Sequence, residues 1–188
     1  ANGTRKGRHM ITKEEEKQAR ERAGELIRRA GIRFTQKELE RMDVADFGLS
    51  DLEREGAQIL SLFDTERVAC RVIALFPGQT EPEHWHEGIG GSEGKEETLR
   101  VIAGTLRVCV EGEANLDPSC IPEGKEQYYT CRHEILLRES ENLTLYPGQK
   151  HWFQAACGDC VFYTMSTTAS DNRDPFSDPG VVRKTVVR

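Results

Sequence analysis

The sequence predicts a mainly β domain, a jelly-roll barrel preceded by α-helices, on three observations. From Ala57 onward, short runs rich in β-branched and aromatic residues alternate with turn signals at Pro77-Gly78, Gly112, Pro122, Pro147-Gly148 and Gly158-Asp159. That rhythm belongs to sandwiches and jelly rolls rather than to α/β folds. Before it, two capping boxes open stretches of helical periodicity. Within the β region, His84 and His86 alternate around Trp85, a spacing that puts both rings on one face of a strand.

The first nine residues, Ala1 to His9, read as an expression-vector remnant, with Met10 as the native start. Residues 10–56 are expected to form a helical segment packed on a barrel that occupies 57–188. Thr12-Lys13-Glu14-Glu15 is a capping box, and Ala19, Ala23, Leu26, Ile27 and Ala30 follow at helical spacing until Gly31 stops the run. Thr35-Gln36-Lys37-Glu38 opens a second helix reaching about Met42, with Phe34 and Leu39 placed as a hydrophobic staple. Strands are expected over 59–63, 68–76, 98–110, 128–137, 143–146, 151–155 and 161–165, the long central run being broken by a hairpin at Gly104-Thr105. A final short strand is expected at 181–187.

Composition excludes several classes. A formal charge of -6 with a pI near 5.5 gives no electrostatic reason to bind nucleic acid or an anionic membrane. No apolar run is long enough to span a bilayer, and no secretory signal opens the chain, so a cytoplasmic location is expected. The six cysteines are expected to be free thiols, and the lone Cys157-Gly158-Asp159-Cys160 lacks the second pair of a zinc knuckle.

The chemistry concentrates around Glu83-His84-Trp85-His86. Glu97 and His151 complete a set of three imidazoles and one carboxylate suited to a divalent ion, and the types alone admit Mn, Fe, Co, Ni or Zn. Glu96 should face away from Glu97 on a strand, and His133 matches no ligand spacing. Lys95 shares the strand face of Glu97 and is the first candidate for acid–base work. Glu83 should face away from His84. Lys150 and Trp152, flanking His151, are candidate substrate contacts, although core packing also suits Trp152. Trp85, alternating away from the ligands, reads as packing.

His-x-His, then Glu-x6-Gly, then Pro-Gly-x-x-His resembles the signature motifs of the cupin superfamily. Ten residues, Glu87 to Glu96, separate His86 from Glu97 where most cupins have three or four, which lengthens the loop 88–94 over the barrel mouth. That loop, with Gly94-Lys95-Glu96-Glu97-Thr98, Tyr146 to Phe153 and Ser166-Thr167-Thr168, resembles the D-lyxose isomerase branch of the cupin sugar isomerases. The resemblance implies a manganese-dependent aldose–ketose isomerase that interconverts D-lyxose and D-xylulose, with D-mannose and D-fructose as a second pair. It implies a cis-enediol route and an acid near the C-terminal strand, which Asp171 or Asp174, just beyond it, could supply, Asp171 preferred. The exposed sheet edges of a cupin barrel make a homodimer the default expectation. Two other readings of the same residues stand beside the isomerase: a cupin Fe(II) dioxygenase with the same His3Glu set, and a non-catalytic sugar-binding cupin.

Overall fold

The computed structural model describes residues 10–88, 90–167 and 174–188. The segment read as a vector remnant therefore lies outside the described residues. Helix α1 (Lys13–Arg29) begins at the expected box: the Thr12 side chain accepts from Glu15 N, and Glu15 accepts from Thr12 N. Helix α2 (Gln36–Glu40) is capped the same way by Thr35 and Glu38. The two helices touch where Gly24 meets Leu39. A Cβ on Gly24 would stand 2.8 Å from Leu39 Cδ1, so a larger residue would require the Leu39 side chain to shift.

Among the described residues ten strands follow: β1 (Asp43–Ala45), β2 (Ala57–Asp64), β3 (Val68–Leu75), β4 (Thr80–His84), β5 (Glu97–Ala103), β6 (Leu106–Val110), β7 (His133–Leu137), β8 (Asn142–Leu145), β9 (His151–Ala155) and β10 (Cys160–Thr167). They form a six-stranded sheet ordered β1-β2-β3-β10-β5-β8 and a four-stranded sheet ordered β4-β9-β6-β7. All named pairings are antiparallel, the arrangement of a jelly roll.

The inner faces enclose one core that includes Ile73, Leu99, Val108, Phe153 and Phe162. Helix α1 lays Ala23, Leu26 and Ile27 on the outer face of the six-stranded sheet, against Leu60, Val72, Ala74 and Val161. Burying Leu26 and Ile27 there contributes about 1.5–3 kcal/mol each, which explains why the helices stay on the sheet. A third cluster, with Tyr129, Cys131 and Trp152, covers the outer face of the four-stranded sheet.

Three expectations need correcting. Strand β1 lies inside the segment expected to be helical and pairs with β2, so the sheet crosses the boundary placed at residue 56. The run 128–137 is extended only from His133; before it lies a 3-10 turn, Glu126–Tyr128. The expected strand at 181–187 is a loop whose one sheet-like contact is a bridge from Val187 to Ile11. The cysteines are free thiols, as expected.

Candidate active site

Strands β4 and β9 lie side by side at the barrel mouth, with His84 opposite His151. The ring of His84 is 4.4 Å from that of His151 and 5.1 Å from that of His86, centroid to centroid. One ring nitrogen from each of the three lies within 4.8 Å of the others, and all three residues are buried. His84 ends its strand and His86 lies beyond it. The alternation argument thus reached the right pair, but His86 is placed by other contacts. Its carbonyl accepts from Gly148 N at 2.9 Å, which ties it to the turn before His151. Gly94 also packs on that carbonyl: with φ of 96° and a would-be Cβ 2.6 Å from it, only glycine fits.

Hydrogen bonds fix the ring orientations. His84 Nδ1 lies 2.8 Å from Pro82 O, and His151 Nδ1 lies 2.8 Å from Gln149 O. A carbonyl only accepts, so each Nδ1 carries the proton and each Nε2 turns its lone pair inward. His86 differs: its Nδ1 is 2.9 Å from Asp174 Oδ2, and its Nε2 is 3.4 Å from Glu97 Oε2. Lys95 Nζ lies 3.1 Å from Glu97 Oε1, and both side chains are buried. Glu96 is exposed, as the alternation requires. His133 stands apart, its Nδ1 donating to Glu113 O.

Electrostatics separate the histidines. Burial, with His151 and His86 nearby, holds His84 well below its ordinary value. Burial lowers His151 to about 4. Burial also acts against charge on His86, but the carboxylates of Asp174 and Glu97 outweigh it and raise the group to about 9. Glu97 is pushed up by burial, yet Lys95 and His86 hold it well below the carboxylate range.

A second carboxyl lines the same cavity. Glu81 pairs with Phe153 and His84 with His151, so β4 advances three residues while β9 advances two. This bulge restores the phase and brings Glu81 onto the inner face with His84. Simple alternation along β4 would place Glu81 outside, on the same side as Glu83. Pro82 was the available signal, because proline inside a strand marks an edge or a bulge. Glu83 does face outward. It accepts from Thr130 Oγ1, Cys131 N and Ser177 Oγ.

The C-terminal segment crosses the mouth. Phe176 bridges to His84, Pro175 O accepts from Trp85 N, and Asp174 reaches His86. Asp171 lies outside the described residues. Two candidate substrate contacts are placed elsewhere. Trp152, fully buried, alternates away from His151 into the outer cluster, where it donates to Cys131 O and packs edge-on to Tyr129. Lys150 does not line the cavity; its ammonium sits 5.0 Å over the ring of Trp85 at the rim. Trp85 is half-buried there and donates to Glu87 Oε1.

The residues fit a divalent ion. Nε2 of His151 is buried without a hydrogen-bond partner among the described residues, and Glu97 supplies an anionic oxygen beside Nε2 of His86.

The family model for D-lyxose isomerase matches residues 28–187. The D-lyxose ketol-isomerase of Cohnella laeviribosi is 44% identical over 172 residues, covering 91% of this chain and 94% of that protein. The D-lyxose/D-mannose isomerase of Thermosediminibacter oceani is 42% identical over 175 residues, 93% of this chain and 97% of that one. Among solved structures, the ligand-free L-ribose isomerase of Cellulomonas parahominis superposes with a TM-score of 0.80 at 16% identity, over 96% of this chain and all of that one. The L-ribose isomerase of Geodermatophilus obscurus gives 0.79 at 14%, over 97% and 100%. At such identities those two speak for the fold alone. The sequence matches carry more: this chain belongs to the D-lyxose isomerase family.

Proposed function

We propose that the chain is a manganese-dependent aldose–ketose isomerase that interconverts D-lyxose and D-xylulose, with D-mannose and D-fructose as a second pair. The observation that carries this reading is the convergence of His84, His86 and His151 beside Glu97 in a member of this family. The relatives named for D-lyxose and for D-mannose support the two substrate pairs.

His84, His86, His151 and Glu97 would hold the ion, manganese by preference, though the donor set also admits Co, Fe, Ni or Zn. When bound, such an ion would polarise the sugar oxygens O1 and O2 and offset the charge of the enediolate. Lys95, buried beside Glu97, is the group assigned to hand a proton to O1 and take one from O2. Asp171, the sequence candidate for the second carrier, lies outside the described residues. The dioxygenase reading is disfavoured by the buried ammonium and carboxyls in the cavity, which suit proton transfer better than an apolar substrate. We assign a homodimer in the cytoplasm as the working state; no described helix is long and apolar enough to cross a membrane.

The test is to incubate Mn-reconstituted protein with D-lyxose and with D-mannose and to assay for ketose. The expected result is D-xylulose formation that requires metal and falls at least 1000-fold in His84→Ala, with metal content measured in parallel. One bound metal per chain without turnover of either sugar would overturn the reading.

A further inference from the structure

We propose that Glu81 is the carboxyl group that carries the carbon-bound proton between C2 and C1 of the sugar. The inference rests on the isomerase reading above and names a carrier among the described residues. It starts from commitment. Glu97 is held by Lys95 and His86, Asp174 by His86, and Glu83 by three donors on the outer face. Glu81 lines the cavity with Glu97 and Asp174, and its Oε2 is fully buried with no hydrogen-bond partner among the described residues. A protein interior does not bury a carboxyl oxygen without a partner cheaply, and such an atom aimed into a reactive cavity marks a group kept free for a ligand.

Its placement suits the task. Glu81 enters from the four-stranded sheet, whereas Lys95 enters from the start of the six-stranded sheet's β5. A sugar lodged between the sheets therefore meets a carboxyl on one side and an ammonium on the other. The β4 bulge is the device that puts the carboxyl there, since an unbulged strand would turn it outward.

The step balances without any co-reactant. The Glu81 carboxylate takes the proton from C2, and the C–H electron pair becomes the C1–C2 double bond. The C1 carbonyl pair moves to O1, which receives a proton from Lys95. O2 then returns a proton to Lys95, C2–O2 becomes the carbonyl, and the double-bond pair takes the Glu81 proton at C1. C1 is reduced by two electrons and C2 is oxidised by two. Burial also raises Glu81 to about 7, so both protonation states are within reach near neutrality, as a group that takes and returns one proton requires.

Glu81→Gln keeps the volume and removes the proton acceptor. The probes are Mn2+, titrated calorimetrically into metal-free protein, and D-lyxose under steady-state conditions. The expected result is Mn2+ affinity within threefold of the wild type, KM within threefold and kcat lowered about 1000-fold. Recovered D-lyxose should no longer take up deuterium at C2 in heavy water. Glu81→Asp, which keeps a carboxyl on a shorter stem, should restore part of kcat. Wild-type kcat in Glu81→Gln, or a loss of activity that tracks lost Mn2+, would overturn the assignment while leaving the isomerase reading intact. A wild-type enzyme that turns over neither sugar would overturn both.

Discussion

Two faces of the four-stranded sheet bury polar groups, and they treat them in opposite ways. On the outer face, Glu83 accepts three hydrogen bonds, Tyr129 donates to Glu55, and Trp152 donates to Cys131 O. Every one of these groups is partnered. On the inner face, Glu81 Oε2 and the Nε2 of His151 are as deeply buried but have no hydrogen-bond partner among the described residues. Strands β4 and β9 contribute groups to both faces, Glu83 and Trp152 outside, Glu81 and His151 inside. The difference separates buried polarity that fixes the chain from buried polarity held for something the chain does not contain. The rule is not perfect: Gln58, buried under the helices, also has both amide atoms unpartnered, and we have no physical account of it.

The outer face breaks first under mutation. Glu83→Ala strips the acceptor from a backbone N–H and two hydroxyls, and we expect a loss of about 4 kcal/mol, read by denaturant unfolding of the metal-free protein. A loss under 1 kcal/mol would show that the outer network is ornamental. The inner face predicts the reverse sign. Glu81 has a folded value near 7 against about 4.5 unfolded, so the folded state binds the extra proton between them. Its contribution is present below pH 4.5 and is lost as pH rises through 7, by about 3 kcal/mol in all. Unfolding of metal-free wild type and Glu81→Gln at pH 5 and pH 8 should therefore show the variant gaining relative stability at the higher pH. A difference that does not change with pH would contradict this. Smallest is Asp174→Asn. Removing the carboxylate beside His86 Nδ1 should weaken Mn2+ binding about 10- to 100-fold, measured by calorimetry, with folding stability little changed.

The barrel was legible because its strands are short, β-branched and punctuated, and the helices because both capping boxes are written in local sequence. His84 and His86 could be paired from spacing, and His151 joined them through the resemblance of Pro147-Gly148-Gln149-Lys150-His151 to a cupin motif. What could not be read depended on pairing between distant segments. Strand β1 exists only because Asp43–Ala45 finds β2. Glu81 turns inward only because β4 gains a residue against β9. Trp152 lost its expected role because β9 is buried on both faces, so its apolar character does not tell inside from outside. Asp174 was one of two acids the sequence offered, and it reaches His86 through a C-terminal segment whose path no periodicity encodes.

The two rings oriented by Pro82 O and Gln149 O have a consequence for how this site can vary. A main-chain oxygen is present whatever residue occupies the position, so drift at positions 82 and 149 removes neither acceptor directly. His86 instead relies on a side chain, and Asp174 can be deleted by a single base change. Inheritable tuning of the three imidazoles is therefore concentrated on one of them, and lineages that adjust metal preference have the shortest route through the acid at position 174.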